Sequence, residues 1–224
     1  MGRGICLSLI ILNYGGVELI KIDHNSIIVF QGDSIRDCNR NRQDSKELGK
    51  GYPFLIAAEI SSNYPEKNLT FFNRGIGGNT IVDLKERWEG DCLDLKPSMV
   101  SILVGINDCY MSYCSEKPIS QEDFEASYRD ILTKTRENTK AGIVICEPFV
   151  LPVKEEHKKM FIKIIRYASI LLAICTMATM FSGFKYEQDN NKPDKSKKGD
   201  NRMEKFKKVG LYVWRLSFPL GGEV

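Results

Sequence analysis

Short runs rich in β-branched residues alternate with segments of helical periodicity between residues 26 and 146, and this alternation restricts the folds open to the chain. Such runs predict strands. Four are found, at Ser26–Phe30, Leu69–Asn73, Met99–Val104 and Gly142–Cys146. Apolar residues at helical spacing predict helices at Tyr52–Ser62, from Asn79 or Thr80 through Trp88, and from Ser120 to Asn138. Strands separated by helices form a parallel sheet covered on both faces, so the sequence predicts an α/β fold.

Polar residues and glycines follow the first three predicted strands. Ser34 comes after the first in Gly-Asp-Ser, Gly78 lies in the glycine-rich run after the second, and Asn107 follows the third in Gly-Ile-Asn-Asp. Ligands of open parallel sheets bind outside the carboxyl ends of the strands. A sharp turn would expose the hydroxyl and backbone N–H of Ser34, and the Asn107 amide could donate to the same oxyanion. Turn chemistry explains each cluster alone, but three in succession predict a catalytic site.

Three blocks carry a specific resemblance. Ile-Val-Phe-Gln-Gly-Asp-Ser-Ile-Arg-Asp, Asn-Arg-Gly-Ile-Gly-Gly-Asn-Thr and Val-Gly-Ile-Asn-Asp resemble the first three blocks of the SGNH (GDSL-type) hydrolases, over about residues 20–153. The resemblance implies a three-layer α/β/α sandwich, flavodoxin-like, with a mostly parallel sheet. It implies that Ser34 is the nucleophile and that its backbone N–H, the N–H of Gly78 and the side-chain amide of Asn107 form an oxyanion hole. The activity implied is hydrolysis of acetyl or other small acyl esters, including those on carbohydrates, through an acyl-serine.

The resemblance also implies a C-terminal Asp-x-x-His, whose His takes the proton from the serine, but the 224 residues contain no Asp-x-x-His. The sequence holds two histidines, His24 and His157. At ~3.3 Å per residue along a strand, His24 falls near the edge of the sheet opposite Ser34. His157 lies on the correct edge and is the substitute base to test. We therefore expect impaired hydrolysis. The alternatives are a catalytically inactive SGNH-fold binding domain and a truncated or frame-shifted product.

The chain changes character after the fourth strand. The sequence predicts an N-terminal extension over 1–19, the esterase domain over 20–160, an apolar helix over 161–184 and a basic tail over 185–224 that is disordered or weakly structured. Within that tail, Val209–Trp214 has the pattern of an edge strand. The C-terminal part of the fold is therefore expected to be incomplete or atypical, with loss of a fifth strand and an exposed sheet edge.

Composition limits cofactors and partners. Seven scattered cysteines form no metal-ligand pairs, and we expect no metal or organic cofactor and a cytoplasmic location. Secretion is the alternative, because Ile5–Leu12 faintly resembles a signal peptide. Basic residues exceed acidic ones only in the tail, and no basic patch is interleaved with aromatic residues, so we expect no nucleic acid. The resemblance implies a small ester or acylated carbohydrate as substrate. The apolar run Tyr167–Phe181 falls short of a bilayer span, which argues against membrane contact, although a membrane-tethered module with Lys185–Lys208 as a basic flank is a third hypothesis. The sequence assigns no oligomeric state.

Overall fold

The sheet lies at the centre of the computed structural model, which describes residues 7–10, 22–114, 119–150, 160, 164–174 and 211–216. Within these ranges six strands form one sheet: β1 (Leu7–Ile10), β2 (Ile27–Gly32), β3 (Thr70–Asn73), β4 (Met99–Leu103), β5 (Gly142–Cys146) and β6 (Leu211–Leu216). Their order across the sheet is β3, β2, β4, β5, β6, β1. All neighbours are parallel except β6 and β1, which are antiparallel.

Helices connect the strands, and they include those predicted at Tyr52–Ser62, through Trp88 and at Ser120–Asn138. They are α1 (Ser34–Asp37), α2 (Tyr52–Asn63), α3 (Ile81–Glu86), α4 (Trp88–Asp91), α5 (Ile106–Cys114), α6 (Gln121–Asn138) and α7 (164–174). The helix expected to run through Trp88 is divided at Arg87 into α3 and α4. Of the two caps proposed for it, Thr80 is the one used, in a reciprocal capping box with Asp83. Ser120 caps α6 by accepting a hydrogen bond from the Asp123 N–H at 3.0 Å.

Apolar residues cover both faces of the sheet. In β2, Ile28 and Phe30 belong to a small cluster under α2, whereas Val100 and Ile102 of β4 belong to a larger cluster with α3, α6 and α7. The register pairs Val29 of β2 with Val100. Because successive side chains on a strand point to opposite faces, the two clusters lie on opposite sides of the sheet. The predicted three-layer arrangement with a mostly parallel sheet is confirmed.

The outer part of the sheet differs from the sequence prediction. The expected loss of a fifth strand, with exposure of the edge of β5, is wrong, because β6 pairs with β5 in parallel. The expected edge position of the segment Val209–Trp214 is also wrong. β1, from the predicted N-terminal extension, pairs with the far side of β6 and places it inside the sheet. The remainder of the predicted tail, 185–210 and 217–224, lies outside the described residues.

The predicted apolar helix over 161–184 contains α7. Its inward residues recur three and four positions apart, and all four are buried against the larger cluster: Ile164, Tyr167, Leu171 and Ile174. This spacing places one stripe of α7 on the core. Among the described helices, none is both long enough and apolar enough to cross a membrane.

Trp88 provides a test of this core. Its side chain is 1% exposed, and its Nε1–H donates to Thr135 Oγ1 of α6 at 3.0 Å. Trp88→Ala should lower the free energy of unfolding by about 3–5 kcal/mol, because it leaves a cavity between α4 and α6. Phe54→Ala is the control, since Phe54 is 52% exposed, and should change it by less than about 1 kcal/mol. Urea unfolding followed by circular dichroism measures both. Equal losses would contradict the assigned packing.

Candidate active site

Ser34 occupies the turn between β2 and α1. Asp33 caps the helix, and its Oδ1 accepts a hydrogen bond from the Ile35 N–H at 2.9 Å. Ser34 is therefore the first helical residue, and its side chain is exposed. Its backbone N–H has no hydrogen-bond partner among the described residues, as expected in a first helical turn. Both the hydroxyl and the N–H of Ser34 are available to a ligand.

A close approach of two strands fixes this turn. A Cβ atom added to Gly32 would lie 2.1 Å from the carbonyl oxygen of Leu103 and 3.0 Å from Cδ of Arg36. The first of these contacts is with backbone and cannot be relieved by a rotamer change. Glycine at this position allows the carboxyl end of β2 to pass against β4 just before Ser34.

The loop after β3 leaves one backbone amide unused. Every other N–H from Arg74 to Thr80 donates a hydrogen bond within the described structure, to Phe30 O, Asn73 Oδ1, Gly32 O, Asp37 Oδ2, Ile76 O and Asp83 Oδ2. The exception is Gly78, which has φ of +84° and no atom within 4 Å of an added Cβ. Glycine adopts this backbone conformation without strain. The Gly78 N–H therefore has no partner among the described residues, and Gly78 itself lies at an exposed turn.

Contacts between the loops bring the three predicted clusters together. A Cβ built on Gly77 would lie 3.8 Å from the Cβ of Ser34. On the other side of Gly78, the Asn107 Nδ2 donates to the carbonyl oxygen of Asn79 at 2.9 Å. A primary amide carries two N–H donors, so one of them is left for a ligand. Ser34, Gly78 and Asn107 thus meet at the carboxyl edge of the sheet. Their catalytic roles stay predictions.

Asp37 and Arg87 also hold the glycine-rich loop, and the sequence did not predict either role. Arg87 does so through Nε, which donates to Asn79 Oδ1 at 2.9 Å. Asp37 Oδ2 accepts hydrogen bonds from the Gly77 N–H at 2.9 Å and from Arg42. Burial alone would raise the pKa of Asp37, but these bonds outweigh it and hold the pKa below its ordinary value. Asp37 is therefore an anionic anchor for the loop. The sequence signal that could have identified Asp37 is its position three residues after Ser34, about one helical turn away on α1.

The two histidines differ in position. His24 precedes β2, and its Nδ1 lies 3.0 Å from the carbonyl oxygen of Glu66, in the turn before β3. It thus lies at the amino end of the strands, whereas Ser34 lies at the carboxyl end. His157, the predicted substitute base, lies outside the described residues.

Two fully buried carboxyls lie behind the site. Asp33 and Asp108 each accept one backbone hydrogen bond, and Oδ2 of each has no partner. Burial raises the pKa of Asp33 to about 6 and that of Asp108 to about 7, and the charge of Asp33 adds to the rise at Asp108. Asp108 therefore binds a proton in part of the molecules at neutral pH. Within the described ranges, no group of three His, Cys, Asp or Glu side chains could hold a metal ion.

Known proteins share this arrangement of sequence and fold. The sequence model of the GDSL-like lipase/acylhydrolase family matches residues 30–181. An acetylxylan esterase of Geobacillus stearothermophilus is 37% identical over 145 residues, which are 61% of this chain and 66% of that protein. The uncharacterized lipoprotein YqeF of Bacillus subtilis strain 168 is 25% identical over 128 residues, 57% of this chain and 50% of the lipoprotein. The chain thus spans slightly less than two thirds of the first relative and half of the second.

Solved structures agree. The crystal structure of Axe2, an acetylxylan esterase from G. stearothermophilus, superposes with a TM-score of 0.64 at 34% identity, covering 70% of this chain and 74% of Axe2. LAE5, an alpha/beta hydrolase enzyme from the metagenome of Lake Arreo, gives 0.63 at 28% identity, with 69% and 74% covered. Catalytic mutants of Axe2 replace a serine, an aspartate or a histidine, and the last two are three positions apart in that protein.

Gly32→Ala tests the strand approach that positions Ser34. The added methyl group overlaps the Leu103 carbonyl oxygen, so the variant should lose about 1–3 kcal/mol of unfolding free energy, with displacement of the Ser34 turn. Gly90→Ala is the matched control. Gly90 lies within α4, and a Cβ added to it would be 4.0 Å from its nearest neighbour, Oδ2 of Asp94. It should be neutral or stabilising by up to about 1 kcal/mol. Thermal and urea unfolding compare the two, and equal behaviour would contradict the close approach.

Asp108→Asn tests the buried acid. The folded pKa of Asp108, about 7, exceeds its ordinary value of 3.8, so the folded state binds more protons than the unfolded state between pH 4 and 7. Stability conferred at low pH is lost as pH rises through this window, by on the order of 4 kcal/mol. The variant has no charge at this position. The difference between its free energy of unfolding and that of the native protein should therefore shift in favour of the variant between pH 4 and pH 8.

Urea titrations at the two pH values measure this difference. Exposed Asp94→Asn is the control and should keep the pH dependence of the native protein. A constant difference between Asp108→Asn and the native protein across the range would show that Asp108 is ionised throughout.

Proposed function

The chain belongs to the GDSL-like lipase/acylhydrolase family, and we propose that it is a serine hydrolase of carboxylic esters with Ser34 as nucleophile. The observation that carries the proposal is the set of unused donors beside the Ser34 hydroxyl. The N–H groups of Ser34 and Gly78 have no partner among the described residues, and Asn107 has a second amide N–H. Pre-positioned donors that stabilise a developing oxyanion are a large source of catalysis in acyl transfer.

The proposed reaction has two halves. Ser34 Oγ attacks the ester carbonyl carbon, and the carbonyl oxygen becomes an oxyanion that accepts hydrogen bonds from Ser34, Gly78 and Asn107. The tetrahedral intermediate then collapses, the C–O bond to the alcohol breaks, and the acyl group stays on Ser34. Water attacks the acyl-serine through the same oxyanion geometry and releases the acid. In the first half a base takes the serine proton and gives it to the departing alcohol oxygen. In the second half it takes a proton from the attacking water and returns it to Ser34 Oγ as the bond to the acyl group breaks.

The base limits the rate that we expect. The acetylxylan esterase Axe2 has catalytic mutants at an aspartate and a histidine three positions apart, and this sequence contains no Asp-x-x-His. His24 lies at the wrong edge of the sheet, which leaves His157 as the histidine to test. Without a base, both acylation and deacylation slow by several orders of magnitude. We therefore propose slow turnover. With an activated ester such as p-nitrophenyl acetate, whose leaving group departs without protonation, acylation should outpace deacylation, so that the acyl-serine accumulates.

Acetylated carbohydrate is the proposed substrate class. The support is the similarity to an acetylxylan esterase, at 37% sequence identity. A small ester such as p-nitrophenyl acetate should react at the same serine, because the donors recognise the carbonyl rather than the alcohol. The cytoplasmic location and the exclusion of nucleic acid stay predictions from sequence.

A catalytically inactive binding domain is the second candidate. The missing Asp-x-x-His favours it, since the loop geometry around Ser34 would be kept for binding an acetylated sugar without chemistry. The two candidates differ in one observable, which is covalent modification of Ser34.

Acetyl transfer to Ser34 distinguishes them. Purified protein is incubated with p-nitrophenyl acetate and then analysed by intact mass and peptide mapping. We expect one acetyl group per chain, on Ser34, and none at that position in Ser34→Ala. Ser61→Ala is the matched control, because Ser61 is an exposed serine on α2, and it should acetylate normally. A folded protein that remains unmodified and releases p-nitrophenol no faster than Ser34→Ala would exclude the hydrolase and favour the binding domain.

The histidine variants complete the experiment. His24→Ala should leave deacylation unchanged, because the side chain lies far from the site. If His157→Ala removes the remaining turnover, His157 is the base. If it does not, the residual rate comes from binding and oxyanion stabilisation, which alone give roughly 10³–10⁴-fold over water in serine hydrolases.

A further inference from the structure

Arg87, at the break between α3 and α4, contacts two of the three segments that lead to the proposed oxyanion hole. Its guanidinium donates to acceptors on β2, on the loop after β3 and on α4. Nε donates to Asn79 Oδ1 at 2.9 Å, and Nη2 donates to Gly32 O at 3.3 Å. Nη1 donates to Arg74 O at 2.8 Å, to Gln31 Oε1 at 3.3 Å and to Asp91 Oδ2 at 2.7 Å. The side chain is 18% exposed, so these bonds are largely shielded from water.

Asn79 is the residue through which Arg87 reaches the donors. It is held at three points, since its N–H donates to Ile76 O at 3.2 Å, its carbonyl oxygen accepts from Asn107 Nδ2 at 2.9 Å, and its side chain accepts from Arg87. Gly78 directly precedes Asn79 and is fixed by no hydrogen bond of its own N–H. The orientation of the turn that carries Gly78 therefore depends on Asn79.

The same bonds orient Asn107. One N–H of its amide is used on Asn79 O, and this fixes the plane of the amide and hence the direction of the second N–H. A shift of Asn79 would move the Gly78 N–H and the Asn107 amide together. Two of the three proposed donors thus share a single support.

We propose that Arg87, acting through Asn79, is a positioning residue that aligns Gly78 and Asn107 for the oxyanion. This inference rests on the proposed function, because it assigns a role within the same site. Arginine is required by the geometry: Nε serves the turn while Nη1 and Nη2 serve the backbone of Arg74 and Gly32. Lysine has one compact ammonium group and does not reproduce a planar fork.

The ion pair with Asp91 is not the source of the effect. Arg87 and Asp91 are four residues apart, a spacing at which helical neighbours pair without help from the loops. Asp91→Asn weakens this pair and leaves the bonds of Arg87 to Asn79, Arg74 O and Gly32 O in place. It is therefore the control that separates a charge effect from positioning.

Single-turnover acetylation of Ser34 by p-nitrophenyl acetate tests the proposal on the full chain. Arg87→Lys should lower the maximal acylation rate about 10²-fold, the loss seen when one oxyanion donor is removed, with the half-saturating concentration unchanged. Asn79→Ala deletes the side-chain acceptor from the turn and should give a similar loss. Asp91→Asn should acylate within about twofold of the native rate. A purely structural role would alter the unfolding temperature without this separation of rate from half-saturation.

Amide signals make the test independent of activity. In ¹⁵N-labelled protein, Arg87→Lys should shift the Gly78 backbone signal and the Asn107 side-chain pair and speed Gly78 exchange, whereas Asp91→Asn should leave them in place. If the native protein fails to acetylate but these shifts occur, the proposed hydrolase is wrong and the positioning role stands. Unchanged signals, or a native acylation rate in folded Arg87→Lys and Asn79→Ala, would overturn the positioning role. Should Arg87→Lys not fold, Asn79→Ala decides.

Discussion

The contact between β2 and β4 at Gly32 fixes the position of everything at the carboxyl edge of the sheet. A Cβ on Gly32 would lie 2.1 Å from the Leu103 carbonyl oxygen, so the backbone of β2 packs directly against β4 at this point. Ser34 follows two residues later. The carbonyl oxygen of Gly32 then serves as an acceptor for both the Ile76 N–H and Arg87. The Ser34 turn and the glycine-rich loop are thereby attached to the same peptide group. A displacement at this strand end would affect both halves of the proposed site.

Hydrogen bonds to backbone, rather than apolar burial, organise the loops. Between Arg74 and Thr80, bonds to strand ends, to Ile76 O within the loop and to Asp37 or Asp83 use every amide except that of Gly78. Buried backbone groups are expensive to leave unpaired, so an unused amide at an exposed turn is tolerated only because water or a ligand can reach it. The Oδ2 atoms of Asp33 and Asp108 show the opposite case. They are buried without a partner, and burial raises the pKa of both carboxyls, which favours their neutral form.

Local pattern explains why much of this could be predicted. The β-branched runs predicted β2 to β5 to within one or two residues, and Ser120 with Asp123 marked the start of α6 correctly. Ser34, Gly78 and Asn107 were found because parallel strands bring their carboxyl ends to one edge. α5 escaped prediction because the polar residues Asn107 and Asp108 imitate a turn. The roles of Arg87 and Asp37 escaped because their hydrogen-bond partners on β2 and the glycine-rich loop are distant in sequence. The interior position of β6 escaped because it depends on pairing with a strand near residue 7.

The pairing of β1 with β6 has a consequence for synthesis of the chain on the ribosome. Leu7 pairs with Leu216, so this ladder closes a loop of nearly the whole polypeptide, while β2 to β5 are complete once residue 146 has emerged. Translation adds roughly 5–20 residues per second, which puts a delay of about 3–13 s between the emergence of β5 and that of Leu211. During that interval the nascent sheet ends at β5, with its hydrogen-bonding groups open to strands of neighbouring chains. The elongation rate over residues 147–210 therefore sets how long this edge stays unpaired.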